Sequence, residues 1–277
     1  MARYTALSRC LNLQGAVLHS RFLYLTAQRT TMSVQQVPLA QRTALESKFF
    51  ADNIPVDRSK VSPEDQQGFD SVNDATIITL TGALGDAEIT LNYEDNVLFF
   101  HVGGSRWQTI SALISFRRDS EEDDPYLTIE RVAFSDTAPP GLAATMLWRM
   151  ARACAALGIP RIELYAVGGR GCDDEAPGGG RLSGYYAWPR LGFDGSVESS
   201  GHVEKADDLA LYKQFPFFPA GLADRAVTTL HNLFETPGGK EFWLVAGRER
   251  RLTFTVAPSS RSVLRLGSYL TEKRFFL

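Results

Sequence analysis

The side chains in this chain that could carry acid–base, nucleophilic or metal chemistry are widely scattered. His19, His202 and His231 have no metal-ligand spacing with one another, and His101 closes an apolar run where a half-buried strand residue is expected. Cys10, Cys154 and Cys172 are odd in number with no close pair, so neither a disulfide framework nor a cysteine zinc site can be read from them. Cys154 falls on the inner face of a helical pattern. Cys172 lies in a glycine-rich stretch and reads as an exposed thiol, so a reducing compartment is the simplest inference. The acidic runs 120–124 and 173–175 read as solvated loops, with attraction of a cation or cationic amine as the sharper alternative. No Gly-x-Ser-x-Gly elbow, phosphate-binding lysine loop or spaced zinc motif is present. No metal site is expected.

Some framework must therefore bring together residues that are distant in sequence. The chain has 277 residues, 44% of them hydrophobic and 22% charged, which is long enough and apolar enough to bury a core. A formal net charge of -3 gives no general attraction to nucleic acid. No apolar run approaches the ~20 residues of a membrane-spanning helix. Residues 1–45 carry five arginines and no acid, an excess that resembles a targeting segment; a disordered tail, or an upstream start with Met32 as initiator, is the plainer alternative. The expected location is cytoplasmic, or elsewhere if that basic segment is a signal.

Periodicity then predicts the elements. A short helix ends near 48–50, and 52–73 reads as loop. Strand-like runs follow at 75–81, 87–93 and 97–102, then at 110–116 and 126–134. From 141 to 157 apolar residues recur at helical spacing (Leu142, Met146, Met150, Cys154, Leu157), with Arg149 and Arg152 off that stripe and Gly158 and Pro160 stopping the helix. Residues 161–167 alternate as a strand, so 126–167 reads as a βαβ crossover with parallel strands. A glycine-rich loop spans 168–184. Further on, 221–234 reads as one amphipathic helix, 236–239 as a turn, 252–256 as a strand, and 262–270 as a helix capped by Ser259 or Ser260. The aromatics Phe215, Phe217 and Phe218 are expected to dock this C-terminal stretch onto the core.

This order of elements resembles the GNAT superfamily of N-acetyltransferases over roughly residues 75–193. The matching segments are LTIERVAFSDTAPPGLAATMLWRMARACAALGIPRIELYAV and GYYAWPRLGFD, the second carrying the Leu191-Gly192-Phe193 ending. The resemblance implies an α+β fold: a mixed, mostly antiparallel sheet with helices on both faces. It implies that backbone groups of Val132, Ala133 and Phe134 hold the pantetheine of acetyl-CoA, and that Gly141, Leu142, Ala143 and Ala144 take its pyrophosphate. Free N–H groups and the dipole at a helix start suit an anion. It further implies Glu130 as general base. The family's usual acid, a tyrosine five residues before the final Phe, is Trp188 here, which leaves Tyr186 as the candidate acid, with Tyr185 beside it. Ala138 replaces the family's Gln or Arg, and Pro139 and Pro140 remove two loop donors.

The expected organisation is a basic segment at 1–45, a GNAT-like domain at 46–203, and a small C-terminal α/β extension at 204–277. The expected activity is acetyl transfer from acetyl-CoA to a small-molecule or protein amine, with no nucleic acid or membrane as partner. The alternative is a non-catalytic binding or interaction module of the same fold, marked by the double proline and Trp188.

Overall fold

Short local signals and one long helix set the framework. The computed structural model describes residues 38–66, 72–120, 122–175, 182–197, 218–223 and 226–276. Helix α1 (Ala44–Phe49) opens with a capping box between Thr43 and Glu46. Strand β1 (Val56–Asp57) and a turn of helix, α2 (Pro63–Gln66), lie in the stretch read as loop. The expected strand at 75–81 is instead helix α3 (Asp74–Thr81). Asn73 caps it by accepting the Thr76 N–H at 2.8 Å, and the Thr79 and Thr81 hydroxyls donate back to Ala75 O and Ile77 O. Gly82 ends it at φ 62, pressed so closely on the next helix that a Cβ would lie 2.5 Å from Met146. Caps and packing on a helical neighbour override the β propensity of Ile and Thr there.

Strands β2 (Glu88–Glu94), β3 (Val97–Gly103), β4 (Gln108–Arg117) and β5 (Tyr126–Phe134) form an antiparallel meander. Helix α4 (Leu142–Leu157) crosses over to β6 (Arg161–Ala166), which runs parallel to β5. Helices α5 (Gly184–Arg190), α6 (Ala220–Ala223), α7 (Leu230–Glu235) and α8 (Gly239–Ala246) precede β7 (Arg250–Thr255) and α9 (Arg261–Glu272). The result is an α+β protein with a seven-stranded, mostly antiparallel sheet whose spatial order is the sequence order. Strand β7 pairs antiparallel with β6, so the C-terminal residues complete the sheet.

Buried strand positions fall on one face: Ile89, Leu91, Phe100, Val102, Ile114, Leu127, Ile129, Ile162, Leu164, Leu252 and Phe254. Trp148, Met150 and Cys154 of α4 pack into the same core. The other face carries the exposed or half-buried His101, Thr128, Glu130, Arg161 and Glu163, with Ser115 and Tyr126 as its buried members. Helices on both faces were expected; among the described residues the core lies on one. An antiparallel sheet tolerates one wet face, and its alternating polar positions here supply it.

Two further expectations change. The helix expected over 221–234 is two helices, and α7 begins afresh where the Thr229 hydroxyl caps Asn232. The stretch after the 236–239 turn is helical as α8, with Phe242 and Trp243 fully buried. Arg149, placed off the apolar stripe, is 3% exposed; it donates to Ala51 O at 3.0 Å and pairs with Asp52 at 2.5 Å. The preceding segment covers that side of α4 and engages one end of the guanidinium.

Candidate functional site

The most irregular part of the sheet is the upper half of β5. Ile114 faces Ile129 but Leu113 faces Arg131, so β5 takes two steps where β4 takes one, and Glu130 is the extra residue. Further register shifts follow between Leu113 and Ile110 and between Ile110 and Gln108. Bulges of this kind twist a strand and re-aim its side chains, and they concentrate beside functional sites.

On its other side β5 loses its partner altogether. It pairs with β6 only through Leu127, Thr128 and Ile129, opposite Ile162, Glu163 and Leu164. Beyond that point β5 stays with β4 as far as Phe134, while β6 stays with β7 through Tyr165 and Ala166. Each strand is held to its outer neighbour, so the two lips part. The chain leaving β6 is drawn further away: Val167 O accepts from Tyr185, and the Arg170 N–H donates to Gly247 O at 2.8 Å. Gly168 at φ 101 and Gly169 at φ 94 make this possible, since a Cβ on either would fall within 2.4 Å of a carbonyl oxygen.

Val132, Ala133 and Phe134 lie on the parted lip of β5 and are half-buried. Just beyond, Gly141 caps α4 with φ 88 and no side-chain bond. The first turn is not uniformly open. The Leu142 amide donates to Pro139 O at 3.2 Å, and the Thr145 amide to Gly141 O at 2.9 Å. Leu142, one of the expected phosphate contacts, has thus already committed its N–H. Those of Ala143 and Ala144 have no partner among the described residues. The ring of Phe275 lies against Gly141, and a Cβ there would be 2.2 to 2.8 Å from three of its carbons.

Glu130 takes hydrogen bonds on Oε1 from Ser115 Oγ at 2.6 Å and from Arg117 at 2.7 Å. The neighbouring cations Arg131 and Arg161 are engaged elsewhere: Arg131 donates to Ser111 O, and Arg161 pairs with Glu163 at 2.7 Å while its guanidinium sits 4.2 Å from the Tyr126 ring centroid. Oε2 of Glu130 has no partner among the described residues and is the oxygen open to solvent or substrate.

The aromatics of α5 turn elsewhere. Tyr185 donates to Leu244 O at 2.8 Å. Tyr186 stacks 6.0 Å from Phe234, with Arg190 over its ring, and Trp188 meets Phe193 edge-on at 5.3 Å. Among the described residues no contact joins Tyr186 to Glu130.

Tyr165, by contrast, is the first residue of β6 past the last β5–β6 pair, as Glu130 is on β5, so the register sets the two opposite each other on the two lips. Burial, with the Glu249 carboxylate beside it, pushes its phenol up to about 12. Sequence reasoning passed over Tyr165 as an ordinary strand residue; its position matters only because β5 and β6 separate there.

No family model, curated protein or solved structure matches this chain. Among the described residues no cluster of three or more His, Cys, Asp or Glu side chains could hold a metal ion, and no helix is long and apolar enough to cross a membrane. Cys154 is wholly buried, and burial pushes its thiol far above the ordinary range. Cys10, Phe215 and Phe217 lie outside the described residues, while Phe218 packs edge-on against Phe242 at 5.7 Å.

Proposed function

We propose that this is a GNAT-like, acyl-CoA-dependent N-acyltransferase, with acetyl-CoA as donor and an amine as acceptor. The observation that carries the proposal is the separation of β5 from β6 after Ile129 and Leu164, leading toward the free amides of Ala143 and Ala144. A thioester arm is long, thin and rich in amides. It matches an opening walled by the backbone of Val132, Ala133 and Phe134, which β4 pairs on one side and β6 does not pair on the other. A diphosphate matches amides at a helix start.

In this reading Glu130 Oε2, directly or through water, removes a proton from the acceptor ammonium. The free amine attacks the thioester carbonyl; the tetrahedral adduct breaks its C–S bond to expel the CoA thiolate, and its nitrogen gives up its second proton to water, leaving the amide. Tyr165 suits the donor of the returning proton better than Tyr186, because it stands on the lip of the opening opposite Glu130. The reaction needs no metal, since the thioester is already activated and the protein's main task is to position the amine.

Calorimetric titration with acetyl-CoA and with free CoA tests the proposal. Binding in the micromolar range, worth roughly 8 kcal/mol, supports it. Absence of binding up to millimolar ligand refutes it and favours the second reading, a non-catalytic interaction module. That reading draws on Tyr186 and Trp188, which pack on Phe234 and Phe193, and on the Phe275 ring over Gly141.

A further inference from the structure

We propose that residues 273–276 form a strap that closes the start of α4 and must lift before the diphosphate of an acyl-CoA can dock. The inference rests on the acyl-CoA reading above and adds regulation to that same site.

The strap begins as α9 ends. The Arg274 N–H donates to Thr271 O and the Phe275 N–H to Leu270 O, a helix-ending pattern that puts Arg274 at φ 58. That conformation suits glycine, and a side chain there is strained. From this turn the chain crosses to α1. Phe275 O accepts from the Ala44 N–H at 2.8 Å, Phe276 bridges Thr43, and the Phe276 ring meets Trp148 edge-on at 5.4 Å. The crossing lays the Phe275 ring on the α-carbon of Gly141, the residue whose lack of a side chain brings a ligand close to the helix start.

The fastening is light. Phe275 and Phe276 are half-buried, and Lys273 and Arg274 are exposed. Among the described residues, lifting the strap breaks the Ala44–Phe275 backbone hydrogen bond, the Thr43–Phe276 bridge and the ring contacts at Gly141 and Trp148. It leaves α1 docked, because Glu46 pairs with Arg152 at 2.5 Å and Gln41 O accepts from Trp148 at 2.7 Å independently of it. The cations at 273 and 274 travel with the strap, so a bound diphosphate has charge to draw against once the ring has moved.

The test is titration of the full chain with acetyl-CoA, with and without Phe275→Ala, and with acetyl-pantetheine, which lacks the diphosphate. Phe275→Ala should tighten acetyl-CoA binding about tenfold, as expected if the open state is populated roughly a tenth of the time. It should leave acetyl-pantetheine binding unchanged. In the unmodified chain, saturating acetyl-CoA should speed hydrogen exchange at the Ala44 amide, which the strap otherwise protects. Equal or weaker binding by Phe275→Ala, a matching gain for acetyl-pantetheine, or unchanged exchange at Ala44 overturns the strap alone. Failure of both chains to bind acetyl-CoA, with the variant folded by circular dichroism, overturns the strap and the acyl-CoA reading together. If Phe275→Ala does not fold, Phe275→Leu and the exchange measurement on the unmodified chain decide.

Discussion

The shaft and the tip of α4 are built on opposite principles. Along the shaft the buried and half-buried polar side chains each reach a partner in the segment ahead of it. Arg149 reaches Ala51 O and Asp52, Arg152 reaches both oxygens of Glu46, Trp148 donates to Gln41 O, and Thr43 donates to Thr145. At the tip the Ala143 and Ala144 amides have no protein partner among the described residues, and the residue covering Gly141 is a half-buried aromatic. Buried charge left unpaired is expensive, so the shaft must be satisfied for the fold to exist. Unpaired amides at a helix start remain available to an anion. Stability and binding are therefore expected to reside in different stretches of one helix.

The largest effect that would test this division is on the shaft. Glu46→Ala strands the Arg152 guanidinium beneath α1 and should lower unfolding stability by about 3 kcal/mol, read from urea denaturation. Acetyl-CoA affinity of the folded protein should not change; if it falls in parallel, shaft and tip are not separable. Next comes Tyr165→Phe, which should cut turnover roughly 100-fold if the phenol supplies the proton to the thiolate, and leave the melting temperature in place. Retention of full rate would end the assignment, and Glu130→Gln checks the base in the same assay.

A smaller effect is expected at the tip itself. Gly141→Ala forces a side chain into φ 88 and against Phe275, which should cost about 1–2 kcal/mol of stability. It should weaken acetyl-CoA binding as well, the converse of Glu46→Ala. A variant that loses stability and keeps its affinity would show that the helix start is structural only.

The smallest concerns a polar contact remote from both regions. His231 is buried, with Nδ1 3.3 Å from Asp194 and Nε2 3.0 Å from Gly192 O. Burial lowers its pKa, and Arg265 and Arg261 act in the same direction, while Asp194 and the Gly192 carbonyl oppose them. The unfolded chain, titrating near ~6.5, therefore takes up the proton first as pH falls. The contribution is complete above that value and is lost as pH drops through the folded pKa. Urea midpoints measured from pH 8 to pH 5 should show this decline, and His231→Gln should flatten it.

Much of the framework was legible before any coordinates. The 126–134 strand lies where alternation placed it, and the 141–157 helix is α4 with its cap residue included. Ser260 caps α9 by accepting the Val263 N–H at 3.2 Å, one of the two serines expected to do so. What failed had a consistent cause. The Ile and Thr of 75–81 carry strand propensity, and only the Asn73 cap and the Met146–Met150 surface make them helical. Arg149 looked like a surface residue because periodicity reports which face of a helix is apolar and says nothing of a second segment lying across its other side.

The candidate site divides in the same way. Glu130 and Gly141 stood out by residue type and place in the element order. Tyr165, the Arg117 partner of Glu130, the committed amide of Leu142 and the ring of Phe275 did not, since each depends on a register or on residues brought together across the chain.

By itself the sequence determined the strand at 126–134, the crossover joining it to 161–166, and the glycine that opens α4, because periodicity, capping and turn chemistry act over a few residues. Only the tertiary structure decided that β5 and β6 part after three paired positions, that among the described residues the core lies on one face of the sheet, and that Phe275 comes to lie on Gly141. Those outcomes come from competition among distant partners for the same backbone edges and buried surface, and no local pattern records which partner prevails.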